Sequence, residues 1–272
     1  MTSCTWLFVP GSAPNRFDKA AGSGADEVIL DLEDTVGAGE KEAARGAVVE
    51  WLAQGGRGWV RTNPAGSPWG RDDLAALADA QGLVGVMVPK AEDPVELGVA
   101  GGAVGRPVVA LVETARGVLD ARRLAAVDGV TALAFGSLDF ILDVGVAHDA
   151  DVVWHARSEL VLASRSLGLS APIDGVTSAV RDDALVHADA VRAKVAGFGG
   201  KLCIHPAQVE PAARGFAPSR EEIAWARDIL AAIGDDTLGV GIDGTMVDRP
   251  VIERARRILR TSGSDISMGA ES

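Results

Sequence analysis

Tyrosine is absent from this 272-residue chain, and aromatic residues of all kinds make up only 4% of it. Platforms on which bases could stack are correspondingly few. Cysteine occurs only as Cys4 and Cys203. Two are too few for a disulfide framework, and each lies in a short apolar run where a buried free thiol is expected. Positive charge is the scarcer sign: 26 Lys and Arg stand against 38 Asp and Glu, a formal net charge of −12. That field repels phosphate backbones and anionic membranes, which argues against nucleic acid and membrane partners. An anionic substrate would need a local cluster of Arg and Lys to reverse it. No apolar stretch approaches the roughly 18 residues of a membrane helix, and the run from Trp6 to Val9 is too short for a signal segment and follows no basic region. A cytoplasmic protein is expected. Strings of the type CxxC, HExxH, GxSxG and Walker A are also missing, which argues against zinc hydrolase, serine hydrolase and P-loop chemistry.

What is present is an ordinary soluble composition, 47% hydrophobic and 24% charged, with an unusual 33 glycines. Glycine at that level points to many short turns or to backbone held close to a ligand. Short β-like runs alternate with longer segments of helical periodicity. The runs are TWLFV (5–9), EVILD (27–31), GWVRT (58–62), GVMVP (85–89), VVALV (108–112), TALAF (131–135), API (171–173) and GKLCI (200–204). Between them, stretches such as EKEAARGAVVEWLA, RDDLAALADA, ARGVLDARRLAAV, DADVVWHARSELVLASRSLG and RDDALVHADAVRAKVAG carry apolar residues at three- and four-residue spacing, as crossover helices do. Eight such repeats predict an α/β fold, a (β/α)8 TIM barrel over residues 1–215; an open doubly wound sheet would use the same elements. The helix-like segment PSREEIAWARDILAAI, a turn at Gly234 to Asp236, the Gly-rich link LGVGIDG and the segment RPVIERARRIL follow. They predict a C-terminal helical extension over 216–261 and a frayed tail over 262–272.

Barrel chemistry gathers at the C-terminal ends of the strands, and here nearly every end carries a charge. Glu113 and Asp139 follow strands five and six, which are neighbours in either sheet arrangement. Two carboxylates there suit a hard divalent cation completed by water and substrate oxygens, as Mg²⁺ prefers; the plainer reading is a helix cap or a surface ion pair. Both are expected at a solvent-reached mouth. Arg61, in VRTNPAG, is a candidate bidentate clamp for a substrate carboxylate, with an ion pair inside an acidic mouth as the equal alternative. Asp31, Glu33 and Asp34 crowd one another in DLEDTV, which raises at least one carboxyl pKa unless a cation intervenes. Asp34 is the candidate proton-transfer group and Asp31 a buried structural acceptor. Arg16 and Lys19 follow the Pro10–Gly11 turn, where they could meet phosphates of a cofactor, with a solvated first helix face as the plainer reading; Lys90, at the end of strand four, is the stronger candidate cofactor-binding cation, and His205 is as readily a satisfied core residue as a catalyst.

With these motifs assembled, the chain resembles the citrate lyase β-subunit-like proteins of the HpcH/HpaI aldolase superfamily. WLFVPGSAPNRFDKA, EVILDLEDTV, VRTN, VMVPKAE, ALVETARG, FGSLDF, CIHPAQV and GTMVDRPVIERA fall in that family's order over about residues 6 to 260. The resemblance implies a (β/α)8 barrel assembled as a trimer or hexamer, binding Mg²⁺ and acting on coenzyme A thioesters. It maps Glu113 and Asp139 onto metal ligands and Arg61 onto the substrate-carboxylate arginine. Arg16 and Lys19 fall on positions that approach coenzyme A, and Asp34 lies in the acidic strand-two motif. Asp248 falls on an aspartate that completes a neighbouring subunit's site. The implied reaction is Mg²⁺-dependent cleavage or formation of a β-hydroxyacyl-CoA such as malyl-, citramalyl- or citryl-CoA, with a 2-oxo acid and acetyl-CoA as the other side. The alternatives are a CoA-independent 2-oxo acid aldolase, a β subunit acting on an acyl-carrier-protein thioester, and a non-catalytic CoA-thioester-binding protein. Which thioester is used is not legible, because one methylene in a pocket is worth only about 1 to 3 kcal/mol.

Overall fold

The computed structural model describes residues 3–232, 241–242 and 245–262. The chain divides into two units between Phe216 and Ala217. The first runs β1 (Thr5–Pro10), α1 (Phe17–Ala21), β2 (Glu27–Asp31), α2 (Lys41–Ala53), β3 (Gly58–Arg61), α3 (Gly70–Leu77), β4 (Leu83–Val88), α4 (Pro94–Val104) and β5 (Val108–Val112). It continues through α5 (Ala115–Leu119), α6 (Ala121–Ala125), β6 (Val130–Phe135), α7 (Ser137–Val144), α8 (Asp151–Ser166), β7 (Ile173–Asp174), α9 (Asp183–Ala196), β8 (Gly200–Cys203) and α10 (Val209–Phe216). The eight strands pair in sequence order and β8 pairs with β1 in parallel, closing the barrel. The open-sheet alternative is thereby excluded.

Two apolar layers follow from the period-two alternation of each strand. Trp6, Ile29, Trp59, Met87, Leu111 and Leu202 are among the side chains that fill the barrel interior, where the Trp6 and Trp59 rings lie 5.2 Å apart. Their indole N–H groups donate to the Ser3 carbonyl and to Glu27 Oε2, which removes the cost of burying them. The alternate residues, such as Val28, Leu30, Val60 and Val86, belong to the cluster between sheet and helices.

Several helices differ from the periodicity reading. The segment 115–127 is two short helices broken at Asp120, where the backbone leaves helical geometry. α4 is present although it contains Gly98, Gly101 and Gly102; Asp93 caps it, accepting from Val95 N–H, and Pro94 opens it, which offsets weak propensity. α7 begins directly after β6, so Asp139 sits in a first helical turn rather than in a loop.

The second unit contains α11 (Arg220–Ala232), a small hairpin of β9 (Gly241–Ile242) and β10 (Thr245–Met246), and α12 (Arg249–Thr261). Ala226 and Ile229 of α11 pack with Ile252, Ala255 and Leu259 of α12. The expected turn at Gly234 to Asp236, most of the Gly-rich link and the tail from 263 onward lie outside the described residues. Among the described residues no helix is long and apolar enough to cross a membrane.

Candidate active site

Three charges occupy the inward register one step beyond the apolar filling. Ile29, Trp59 and Leu111 point into the barrel, and two residues further along the same strands stand Asp31, Arg61 and Glu113. Alternation alone therefore aims all three at the C-terminal mouth. Asp31 and Arg61 are cross-strand partners on β2 and β3. Nε and Nη2 of Arg61 each donate at 2.7 Å to a different oxygen of Asp31, while Nη1 lies 3.0 Å from Glu33 Oε2 and 3.2 Å from Asp34 Oδ2. The Phe8 ring packs 4.8 Å from the guanidinium. Burial pushes the Asp31 carboxyl up, but the hydrogen bonds and charge of Arg61, with Thr35 and the Glu33 amide, hold it below the ordinary carboxylate range. Arg61 in turn is raised: burial opposes its charge and Asp31, Glu33 and Asp34 more than compensate. This geometry is the ion-pair reading of Arg61; a substrate carboxylate would use the N–H groups that Asp31 leaves over.

The loop after β2 is built around Asp31, which also accepts from Glu33 N–H, Thr35 N–H and the Thr35 hydroxyl. Lys41, buried at the start of α2, donates from Nζ to the carbonyls of Leu32 and Glu33, both at 2.8 Å. These bonds turn Glu33 inward and leave Asp34 at the rim with half its side chain exposed (51%). Glu33 reaches Lys90 Nζ through Oε1. Its Oε2 is buried and, although close to Arg61, receives no aligned hydrogen bond. Burial accordingly raises the Glu33 carboxyl in spite of Arg61 and Lys90, while Lys90, more exposed, is raised by Glu33 against its own desolvation. The pair shifts in one direction because Glu33 is the more deeply buried partner.

Glu113 is 1% exposed, which corrects the expectation of a solvent-reached carboxylate. Gly136, just past β6, packs directly against it: a Cβ there would collide with Oε2 and Cβ of Glu113, so the close approach requires glycine. Lys90 N–H donates to Glu113 Oε1 at 2.7 Å. Burial, with added repulsion from Glu33 and Asp139, pushes the Glu113 carboxyl up to about 8. No side chain caps the first turn of α7, where Asp139 stands partly exposed. Among the described residues no cluster of three or more His, Cys, Asp or Glu is arranged to hold a metal alone. Glu113 and Asp139 form a two-carboxylate set, hard oxygens short of positive charge, and the unsatisfied Glu33 oxygen lies in the same cluster. That donor chemistry fits a small divalent cation with open positions for water and substrate.

The remaining candidates have the following surroundings. Arg16 and Lys19 are exposed on the first helical turns after β1. Lys90, expected among the cofactor-binding cations, is turned onto Glu33 and Glu113, where two buried carboxylates attract its ammonium. His205 caps a short 3-10 turn, its Nδ1 accepting from Ala207 N–H at 3.1 Å. Asp248, in the second unit, caps α12 by accepting from Val251 N–H at 3.2 Å, with Pro250 in the first turn. Lys41 and Gly136 were not singled out by sequence, and Glu33 was named only as one of three crowded acids. Lys41 and Gly136 act through tertiary contacts, which leave no signal in the sequence. A concavity of about 790 Å³ lies at the opposite end, lined by Asp18, Glu27, Trp51 and Arg57, away from these charges.

Residues 5–206 match the family model described as HpcH/HpaI aldolase/citrate lyase. A citrate lyase subunit beta-like protein of Mycobacterium tuberculosis (strain ATCC 25618 / H37Rv) is 38% identical over 272 residues, covering 96% of each chain. A (3S)-malyl-CoA thioesterase of Cereibacter sphaeroides (strain KD131 / KCTC 12085) is 36% identical over 93% of this chain and 92% of its own. Among solved structures, CitE from Mycobacterium tuberculosis in complex with magnesium, acetoacetate and coenzyme A superposes with a TM-score of 0.88 at 37% identity, over 96% of this chain and 98% of that one. The chain thus belongs to the HpcH/HpaI aldolase/citrate lyase family.

Proposed function

We propose that the protein is a Mg²⁺-dependent carbon–carbon lyase that cleaves, or in reverse forms, a β-hydroxyacyl-CoA thioester such as malyl-, citramalyl- or citryl-CoA. The observation that carries this reading is the Glu113 carboxylate, buried against Gly136 beside Asp139 and deficient in positive charge. Glu113 and Asp139 would hold Mg²⁺, which when bound supplies Lewis acidity and charge against developing oxyanions. The magnesium and coenzyme A complex of the related CitE supports this cofactor and substrate class.

The chain's own residues supply the rest. Arg61, fixed by Asp31, orients the substrate carboxylate. Asp34, at the rim, takes the hydroxyl proton as the bond between the carbinol carbon and the thioester α-carbon breaks. The bonding pair passes to the thioester as an enolate, and Asp248 returns a proton to its α-carbon. Arg16 and Lys19 receive phosphates of coenzyme A. The extension over 216–261 acts as a lid, and Asp248 serves the barrel of a neighbouring subunit in a homo-oligomer.

A second reading is favoured by the thioesterase relative: hydrolysis of the same thioester to the free hydroxy acid and coenzyme A. A panel of β-hydroxyacyl-CoA substrates with product identification by mass spectrometry separates the two. Acetyl-CoA with a 2-oxo acid supports the lyase; free coenzyme A with an intact hydroxy acid supports hydrolysis.

A further inference from the structure

Among the described residues Lys90 is the one non-glycine residue with left-handed backbone, φ +48°. Such a conformation is costly for a long side chain and persists where its surroundings fix it. Two bonds fix it here. The backbone N–H donates to Glu113 Oε1 at 2.7 Å, and the side chain arches back so that Nζ bonds Glu33 Oε1 and stands 3.9 Å from Glu113 Oε1. One residue thus addresses two of the buried carboxylates of the mouth, Glu33 and Glu113, from its two ends. The Lys90 side chain is 43% exposed, whereas those of Glu33 and Glu113 are buried, so the lysine has room to move that the carboxylates lack.

Resting on the reading of Glu113 as a metal ligand, we propose that Lys90 is a positioning residue whose ammonium competes with the divalent cation. The backbone N–H sets the angle of the Glu113 carboxylate. The ammonium partly neutralises Glu33 and Glu113, which would otherwise repel each other in a poorly hydrated pocket. A divalent cation on Glu113 then meets a positive charge already placed within ion-pair distance, and like charges at that spacing interact strongly at a partly buried site. Lys90 therefore keeps the ligand set assembled and at the same time weakens its hold on the metal.

The consequence runs opposite to ordinary structural damage, in which losing a supporting residue loosens a site. Lys90→Met removes the ammonium and keeps the stem. Lys90→Gly removes the side chain and is the residue that best tolerates φ +48°, so it retains the N–H bond to Glu113 without strain. Both should bind the metal more tightly, while Lys90→Arg, which keeps the charge, should stay near wild type.

The test is Mn²⁺ binding to the full-length protein without substrate, followed by electron paramagnetic resonance or calorimetry, in wild type, the three Lys90 variants and Glu113→Gln. The expected result is a dissociation constant lowered about tenfold, or about 1.4 kcal/mol, in Lys90→Met and Lys90→Gly, no such gain in Lys90→Arg, and loss of binding in Glu113→Gln. Loss of binding in Glu113→Gln with unchanged or weaker binding in Lys90→Met and Lys90→Gly overturns the role of Lys90 and leaves the metal site standing. Unchanged binding in Glu113→Gln overturns the metal reading, and the Lys90 proposal with it.

Discussion

Asp31 and Arg61 face each other across β2 and β3 in a two-point ion pair, each carboxylate oxygen 2.7 Å from its own guanidinium nitrogen. The pair lies at the barrel end where Glu33, Asp34 and Glu113 converge, and Nη1 of Arg61 extends its positive charge to Glu33 and Asp34. Arg61 acts as the organising centre of the acidic mouth, bonded to Asp31 and Asp34 and close to Glu33.

Replacing Arg61 therefore does more than remove a clamp. Arg61→Lys keeps the charge but cannot bond both Asp31 oxygens in one plane. Turnover should fall about 100-fold or more, with a loss of roughly 2 to 4 kcal/mol in stability as Asp31 is left buried without its fork. Steady-state kinetics and denaturant unfolding measure the two effects. An unchanged kcat/KM with unchanged stability would show that neither role is real.

Gly136 sets how close Glu113 comes to α7. Gly136→Ala forces a methyl group into the Glu113 side chain, and overpacking of this kind costs about 1 to 3 kcal/mol. Metal affinity should fall with stability, because Glu113 is displaced from Asp139. A fully stable Gly136→Ala protein with wild-type metal binding would remove the close approach from the account.

Much of this arrangement was legible in the sequence, for a physical reason. A parallel strand buried on both faces reads as an apolar run, and the residue that breaks the run on the inward register marks the mouth. Asp31, Arg61 and Glu113 each stand two places after an inward apolar side chain. Glu113 read as exposed because the residue that packs on it, Gly136, comes from the next strand's end. Lys90 read as a ligand-facing cation because its left-handed backbone follows from bonds to Glu33 and Glu113 and from no local preference. α4 was not legible because its glycines mask helical periodicity, and its Asp93 cap and Pro94 start outweigh them.

The raised Glu113 carboxyl gives a pH dependence with a definite sign. In the metal-free folded state it keeps its proton up to about 8, whereas the ordinary value is 4.5. The folded state then binds more protons than the unfolded chain across that window, so this group's stabilising contribution is complete below it and is lost as pH rises through about 8. Metal binds the ionised carboxylate. The rise in Tm produced by Mg²⁺ should therefore be larger at about pH 8.5 than at about pH 6.5. Differential scanning calorimetry at both values, in metal-free and Mg²⁺-saturated protein, checks it; an equal or reversed increment is the contrary result.

Asp248 offers a separation of cap from chemistry. Asp248→Asn preserves the N-cap of α12 and removes the acid, whereas Asp248→Ala loses both, at a stability cost of about 1 kcal/mol. If Asp248 acts in a neighbouring subunit's site, Asp248→Asn is inactive and as stable as wild type. Mixing it with inactive Glu113→Ala protomers after dissociation and reassembly then restores activity. An active Asp248→Asn enzyme reduces Asp248 to its cap, and silence in verified mixed oligomers rules out the shared site.

The central claim is that Glu113 and Asp139 together hold the divalent ion on which cleavage depends. Anomalous diffraction from crystals grown with Mn²⁺ locates that ion directly. The account predicts one strong peak within bonding distance of a carboxylate oxygen of Glu113 and of Asp139, lost in Glu113→Gln. A peak held by other residues, or none at a Mn²⁺ concentration that saturates activity, would contradict it.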